Sequence, residues 1–373
     1  MRKMRVLVVD DSVVIRRVLT HALSSDPAIE VVGTAPNDRI ALAKIAQAHP
    51  DLVTLDVEMP EMGGIETLAA LRKTNPFMPV IMFSLYTEKG SAATLNALAF
   101  GGVDYVTKPA GTAGAEVASK VIREDLLPRI KMRLSAAAGA EAFVSRGASL
   151  PPTSSARSTL AGAGQPQSRV DIVVVGISTG GPSALEKFLS CFPADFPVPI
   201  LIVQHMPPGF TTLLAHRLAA KCKLSVGEVR AMRVLEPGQA WLAPGGRHLV
   251  VEGVKGAAQV RISDAPPENS CRPSVDVLFR SAAETFGCHV LGVIMTGMGQ
   301  DGYRGCEKIR EAGGQVWAQD EASSVVWGMP GFVTNAGLVD RVVALNELAP
   351  EVARRVMMLR PVPPRACSTP PSK

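Results

Sequence analysis

Residues 171–181, DIVVVGISTGG, decide how the second half of this chain is read. An unbroken run of β-branched residues marks a strand buried on both faces, and the Gly-Ile-Ser-Thr-Gly-Gly that closes it supplies a tight turn into a helix. Two more runs end in the same manner, PILIVQHMPPGF at 199–210 and HVLGVIMTGMGQDG at 289–302. Each delivers one reactive side chain to its end: Ser178, His205 and Asp301. In a parallel sheet such ends share one edge, where open α/β sheets bind their ligands. A hydroxyl, an imidazole and a carboxylate there are what nucleophilic acyl transfer requires. Serine is too weakly acidic to attack until a histidine takes its proton, and an aspartate must hold that histidine in the right tautomer.

Around these runs the pattern stays α/β. Helices are expected from Ser183 to Cys191 and from Thr211 to Ala220, and QAWLAP, RHLVVEG and AQVRIS (239–263) read as short strands and an inserted hairpin. HVLGVIMTG and GQVWAQD read as the last core strands. The first half repeats the design with RVLVVDD, IEVVGTAP, DLVTLDVEMP, PVIMFS and VDYVTKP, five buried strands separated by helices, which predicts a doubly wound parallel sheet. After Asp11, Val14, Ile15, Val18, Leu19 and Ala22 fall on one helical stripe. Between the halves, residues 135–168 are small, polar and rich in Pro, Gly and Ser, the composition of a flexible linker. The expected division is a first domain at 1–128, a linker at 129–168, a second domain at 169–355 and a Pro-rich tail at 356–373.

Composition narrows the function classes. With 47% hydrophobic and 20% charged residues the chain is globular, and no apolar run approaches the roughly 18 to 20 residues of a membrane span. The N-terminal MRKMRVLVVDD enters a short apolar run that ends in two aspartates, unlike a secretory signal, so a cytoplasmic protein without membrane insertion is expected. Six cysteines lie scattered, with no CxxC pair and no zinc spacing. The formal charge of +5 resides in the linker (Arg129, Lys131, Arg133, Arg146 and Arg157 against Glu141) and in the tail (Arg360, Arg365, Lys373). A nucleic-acid-binding face therefore loses its compositional support.

Asp10 and Asp11 close the first strand, Asp56 the third, Ser84 the fourth and Lys108 the fifth. Three carboxylates on one sheet edge suit a hard cation such as Mg²⁺, and a carboxylate beside that cation and an ammonium is chemically a phosphoryl acceptor. Asp56 is the expected acceptor. A strand-end aspartate is more often a helix cap, and Asp11 or Ser12 fits that role, but five residue types in this order at five strand ends favour the site. VVDDS, LDVEMPEMGG, FS and DYVTKPA resemble response-regulator receiver domains over roughly the first 125 residues. The resemblance implies a flavodoxin-like fold, Mg²⁺ held by Asp10 or Asp11, Asp56 and the backbone carbonyl of Glu58, and a phosphoryl group gripped by Ser84 and Lys108. It also implies that Tyr105 changes rotamer on activation and that a histidine kinase is the phosphodonor.

The Gly-x-Ser-x-Gly in GISTGG has two readings, a nucleophile at a strand-to-helix turn or a degenerate phosphate-binding loop. A dinucleotide site would carry glycine at Ser178 and an acid at the next strand end, where Gln204 and His205 stand instead. Among the histidines, His216 sits in a polar helix and His248 and His289 flank strands, so His205 alone has the strand-end placement. The order Ser, His, Asp differs from that of ordinary α/β-hydrolases. GISTGGP, QHMPPGFT, APPENSCRPSVDVLF, TGMGQDG and QDEASSVVWGMP resemble the catalytic domain of bacterial chemotaxis protein-glutamate methylesterase/glutaminases, over roughly residues 170–350.

That resemblance implies a Rossmann-like, mainly parallel catalytic sheet and a hydrolase needing no cofactor for its own chemistry. Its substrates would be γ-glutamyl methyl esters and certain glutamines on methyl-accepting chemoreceptors. It assigns attack to Ser178, base chemistry to His205, orientation of that base to Asp301 and the oxyanion to the backbone amides of Thr179 and Met298. It further implies that the unphosphorylated receiver packs across the catalytic cleft. The competing reading is a response regulator with a non-catalytic nucleotide- or receptor-binding output domain. Pro36, Phe83 and the plain linker depart from the family pattern, all away from the chemistry.

Overall fold

The computed structural model describes residues 3–59, 63–75, 78–85, 104–108, 119–131, 168–254 and 256–360. Most of the expected linker and tail lies outside them. In the first half, β1 (Met4–Val9), β2 (Ile29–Ala35), β3 (Leu52–Asp56), β4 (Val80–Leu85) and β5 (Asp104–Lys108) form one sheet in the order β2-β1-β3-β4-β5, every pair parallel. The period-2 geometry of a strand explains its two cores: Val6 and Val8 of β1 enter one apolar layer, Leu7 and Val9 the other. The sheet is thus covered on both faces, as parallel sheets require.

Helix Val13–Ser24 is capped by Ser12, whose hydroxyl accepts from the Ile15 amide at 3.4 Å. Its buried stripe runs through Ile15, Val18, Leu19, Ala22 and Leu23, but Val14 is 65% exposed, against expectation. One residue turns about 100° round a helix, which carries Val14 off the stripe. Residues 119–131 are helical, and Ile130 lies fully buried in the first domain's core. Helix therefore occupies the start of the stretch expected as linker.

The second half begins with β6 (Ile172–Ile177), buried at all six positions, and β7 (Ile200–Gln204). Then follow β8 (Ser225–Glu228), β9 (Arg233–Val234), β10 (Gln239–Leu242), β11 (His248–Glu252), β12 (Gln259–Ser263), β13 (Val290–Ile294), β14 (Gln315–Gln319) and β15 (Arg341–Val343). Seven of these make a wholly parallel sheet, β15-β14-β13-β6-β7-β10-β8. QAWL does not belong to the inserted hairpin. Its Ala240, Trp241 and Leu242 are buried, and β10 lies between β7 and β8 in the main sheet. The hairpin is β11 with β12, antiparallel, to which β9 adds a short third strand. β8, β9 and β15 were not anticipated: all are short, and the residues of β9 and most of β15 are exposed, so no apolar run announces them.

In the seven-stranded sheet the chain leaves β6 toward β7 on one side and later returns to β13 on the other. The C-terminal ends of β13, β6 and β7 therefore border a topological switch point, the usual crevice for a ligand. Gly176 permits the helix Val275–Phe286 to lie close over this point, since a Cβ there would stand 2.4 Å from Val275 Cγ1. Among the described residues no helix is long and apolar enough to cross a membrane.

Candidate active site

Ser178, His205 and Asp301 follow β6, β7 and β13, three neighbouring strands. His205 Nε2 lies 2.7 Å from Asp301 Oδ2. Ser178 and His205 line one cleft of about 330 Å³ together with Thr179, Cys271 and Met298. The turn after Ser178 is fixed by its carbonyl, which accepts from the Gly181 amide at 2.8 Å and from Gln204 Nε2, also at 2.8 Å. Gly181 makes that approach possible, because a Cβ there would meet Gln204 Oε1 at 1.8 Å. Ser178's own amide donates to the Thr296 carbonyl at 3.0 Å, so it is not offered to an oxyanion. The next residue, Thr179, is anchored through its carbonyl by the Thr296 hydroxyl at 2.9 Å. Met298 follows Gly297, which is pinned by the Val326 carbonyl at 2.9 Å and by the Met329 amide at 2.8 Å.

Asp301 is nearly buried and heavily solvated by protein donors. Val275 N and Ser274 Oγ each reach it at 2.7 Å, Asn269 Nδ2 at 3.0 Å and Asp276 N at 3.3 Å. Burial alone would raise its pKa, but the hydrogen bond and charge of His205, with the Val275 and Ser274 donors, hold it below the usual carboxylate value. Its neighbour Asp276 goes the other way, raised to about 6, mainly by burial and partly by the charge of Asp301. Burial would lower His205, yet Asp301 and the facing Cys271 lift the imidazole to about 9. With Nε2 turned to Asp301, Nδ1 is the ring nitrogen that faces Cys271, 4.0 Å from its Sγ. Gln204, Asn269, Ser274 and Thr296 were not anticipated as supports. Only Gln204, beside His205 at a strand end, carried a signal.

The first domain presents its own cluster. Ligand atoms of Asp10, Asp11 and Asp56 lie within 4.8 Å of one another, the outer two in this list buried and Asp11 exposed. Lys108 Nζ stands 2.6 Å from Asp10 Oδ2 and 2.6 Å from Asp56 Oδ2, and Asp56 Oδ1 accepts from the Glu58 amide at 3.2 Å. Burial raises Asp56 to about 6, against the opposing pull of Lys108. One ammonium between buried carboxylates leaves uncompensated negative charge, and an all-oxygen donor set suits a hard divalent cation. Ser84 lies in β4, and its side chain is outside the description. Tyr105 and Arg129, both from the first domain, line the cleft that holds Ser178 and His205.

Comparison with known proteins agrees with both halves. Residues 173–352 match the CheB methylesterase family and residues 6–117 the response regulator receiver domain. A protein-glutamate methylesterase/protein-glutamine glutaminase of Trichodesmium erythraeum is 51% identical over 363 residues, 95% of this chain and 100% of that relative. A protein of the same description from Nocardioides sp. is 49% identical over 357 residues, 96% of each chain. Among solved structures, the Thermotoga maritima CheB methylesterase catalytic domain is 38% identical, with a TM-score of 0.49, covering 50% of this chain and 99% of that one. Such identity, sustained through both domains in the same order, means that the chain belongs to the protein-glutamate methylesterase/protein-glutamine glutaminase family.

Proposed function

We propose that the chain hydrolyses γ-glutamyl methyl esters on methyl-accepting chemoreceptors and deamidates specific receptor glutamines, under control of phosphorylation at Asp56, in chemotaxis adaptation. The observation that carries this reading is the arrival of Ser178, His205 and Asp301 at the ends of three adjacent strands, with His205 already bonded to Asp301 at 2.7 Å. In the neutral ring, Nε2–H donates to Asp301 and Nδ1 is left to take the proton of Ser178. The Ser178 oxygen attacks the side-chain carbonyl, and the amides of Thr179 and Met298 receive the oxyanion. Collapse expels methanol, or ammonia from a glutamine, protonated by His205. Water, deprotonated by the same nitrogen, then releases the γ-carboxylate and restores Ser178. One triad serves both substrates because each passes through the same tetrahedral oxyanion.

Asp10, Asp11 and Asp56, with the carbonyl of Glu58, are the residues that fit Mg²⁺. A cation held there would supply charge neutralisation to the phosphoryl oxygens when a histidine kinase donates the group to Asp56. Lys108, poised between Asp10 and Asp56, provides the second positive contact, and Ser84 the hydroxyl. The unphosphorylated receiver covers the hydrolase cleft through Tyr105 and Arg129, and phosphorylation loosens that cover. A substrate on the cytoplasmic helices of receptors places the protein in the cytoplasm.

The test is methanol release from methylated receptor fragments. Ser178→Ala should lower the rate on the order of 10⁴-fold. Near-normal release by that variant removes the serine mechanism.

A further inference from the structure

Cys271 lines the cleft but takes no part in the proposed hydrolysis, and its position is built rather than incidental. Glu268 and Cys271 exchange both backbone hydrogen bonds, at 3.1 and 2.8 Å, across a two-residue turn. Asn269 and Ser270 hold positive φ values of 52° and 61°, the conformation of a type I′ turn. Asn269 is further tied to Asp276 at 2.6 Å and to Asp301 at 3.0 Å. This turn sets the half-buried thiol on the wall of the cleft, its sulfur 4.0 Å from His205 Nδ1.

We propose that Cys271 Sγ and His205 Nδ1 form a site for a soft or borderline divalent ion, Zn²⁺ or Cd²⁺, whose binding shuts off the hydrolase. Zinc bonds of about 2.3 Å to sulfur and about 2.1 Å to imidazole nitrogen together span about 4.4 Å, so one ion reaches two atoms separated by 4.0 Å. A thiolate and an imidazole are the donors such ions prefer, whereas Mg²⁺ prefers the oxygen cluster of the receiver. The ring is already prepared as a ligand: its Nε2 is bonded to Asp301 at 2.7 Å, the carboxylate-histidine arrangement that orients a metal-bound imidazole. Cys271 and Asp301 join His205 in a group whose ligand atoms lie within 4.8 Å of one another. On binding, the Cys271 thiol releases its proton to solvent and the ion takes the Nδ1 lone pair. That lone pair is the one that must accept the proton of Ser178, so occupancy and catalysis exclude each other.

The inhibitory part of this inference rests on the triad reading; the binding part does not. Two measurements on the full chain separate them. The first follows methanol release against Zn²⁺, with each variant compared to its own metal-free rate. At ten times the half-inhibitory concentration the unaltered chain should lose about tenfold in rate and recover it with a chelator, while Cys271→Ala keeps its rate. Equal inhibition of the two overturns the site. The second follows the ultraviolet thiolate-to-metal absorption of Cd²⁺. A band present in the unaltered chain and in Ser178→Ala, and reduced in both Cys271→Ala and His205→Ala, supports the bridge. A band undiminished in either Cys271→Ala or His205→Ala overturns it. If Ser178→Ala still hydrolyses while the band behaves as described, the serine mechanism fails and the metal site stands.

Discussion

Tyr105, in the last strand of the receiver sheet, stacks on Phe210, the first residue of the helix after the His205 loop, with ring centroids 5.1 Å apart and planes 15° apart. The contact joins a side chain of the receiver domain, which itself lines the hydrolase cleft, to the core of the catalytic domain. An aromatic pair contributes about 0.5–1.5 kcal/mol beyond its buried area. The unphosphorylated Tyr105→Ala chain should therefore release methanol about two- to tenfold faster than the unaltered chain. Equal basal rates would show that this stack does not hold the cleft closed.

Asp56→Asn should abolish stimulation by a small phosphodonor with Mg²⁺ and leave basal hydrolysis in place, since Asp56 contacts Lys108 and Glu58 rather than the triad. The comparison needs only methanol release with and without the donor. Stimulation that survives the substitution would move the acceptor elsewhere.

The donors around Asp301 should reveal themselves in kcat. Ser274→Ala removes a 2.7 Å bond to a buried carboxylate. Bonds to charged groups contribute about 1.5–3 kcal/mol, so kcat should fall by about ten- to a hundredfold with KM little changed. Asp301→Asn, which disturbs the tautomer of His205 itself, should cost about 10⁴. A Ser274→Ala effect confined to KM would deny Ser274 this positioning role.

The rate should climb with pH. His205 is a base only when neutral, and its imidazole is lifted to about 9, so the competent fraction grows about tenfold per pH unit from 7 up to that value. The linkage to stability has the opposite sense. A raised imidazole pKa stabilises the fold fully below the ordinary value of 6.5, and this contribution disappears as pH rises through about 9. Hydrolysis is thus fastest where the fold has lost that support. A kcat/KM profile already flat at pH 7 would contradict the raised value.

Gly176→Ala should destabilise the catalytic domain by about 1–3 kcal/mol, the usual cost of overfilling a packed core. The added methyl would stand 2.4 Å from Val275 Cγ1, and Val275 also supplies an amide to Asp301. Thermal unfolding measures the loss, and Val275→Ala in the same chain should recover part of it. An unchanged melting temperature would mean that the helix over β6 yields without cost.

Much of this architecture was legible in the sequence because its signals were long. β6, β7 and β13 are continuous apolar runs, and buried strands with reactive residues at their ends are hard to mistake. β8, β9 and β15 were not legible: strands of two to four residues with few buried positions bear no period to detect. QAWL reads as a strand but its sheet does not show, since nothing local reports whether a short strand pairs with β7 or with β11. At the site, the reactive side chains could be named, but not the hydrogen-bond acceptors and donors around them. Asn269 reaches Asp301 across 32 sequence positions and Thr296 reaches Thr179 across 117, relations that only the assembled sheet creates. The face of His205 turned toward Asp301 was equally invisible, because one-dimensional order does not orient a ring.

β5 has a further consequence. Lys108 ends it with an ammonium divided between Asp10 and Asp56, and Tyr105, three residues earlier, stacks on Phe210 of the catalytic domain. Three residues of extended chain measure about 10 Å. A new charge on Asp56 would have no long route to travel. On the proposed reading, the strand whose lysine would meet the phosphoryl group is also the strand whose tyrosine reaches the other domain, so a short piece of backbone links the two.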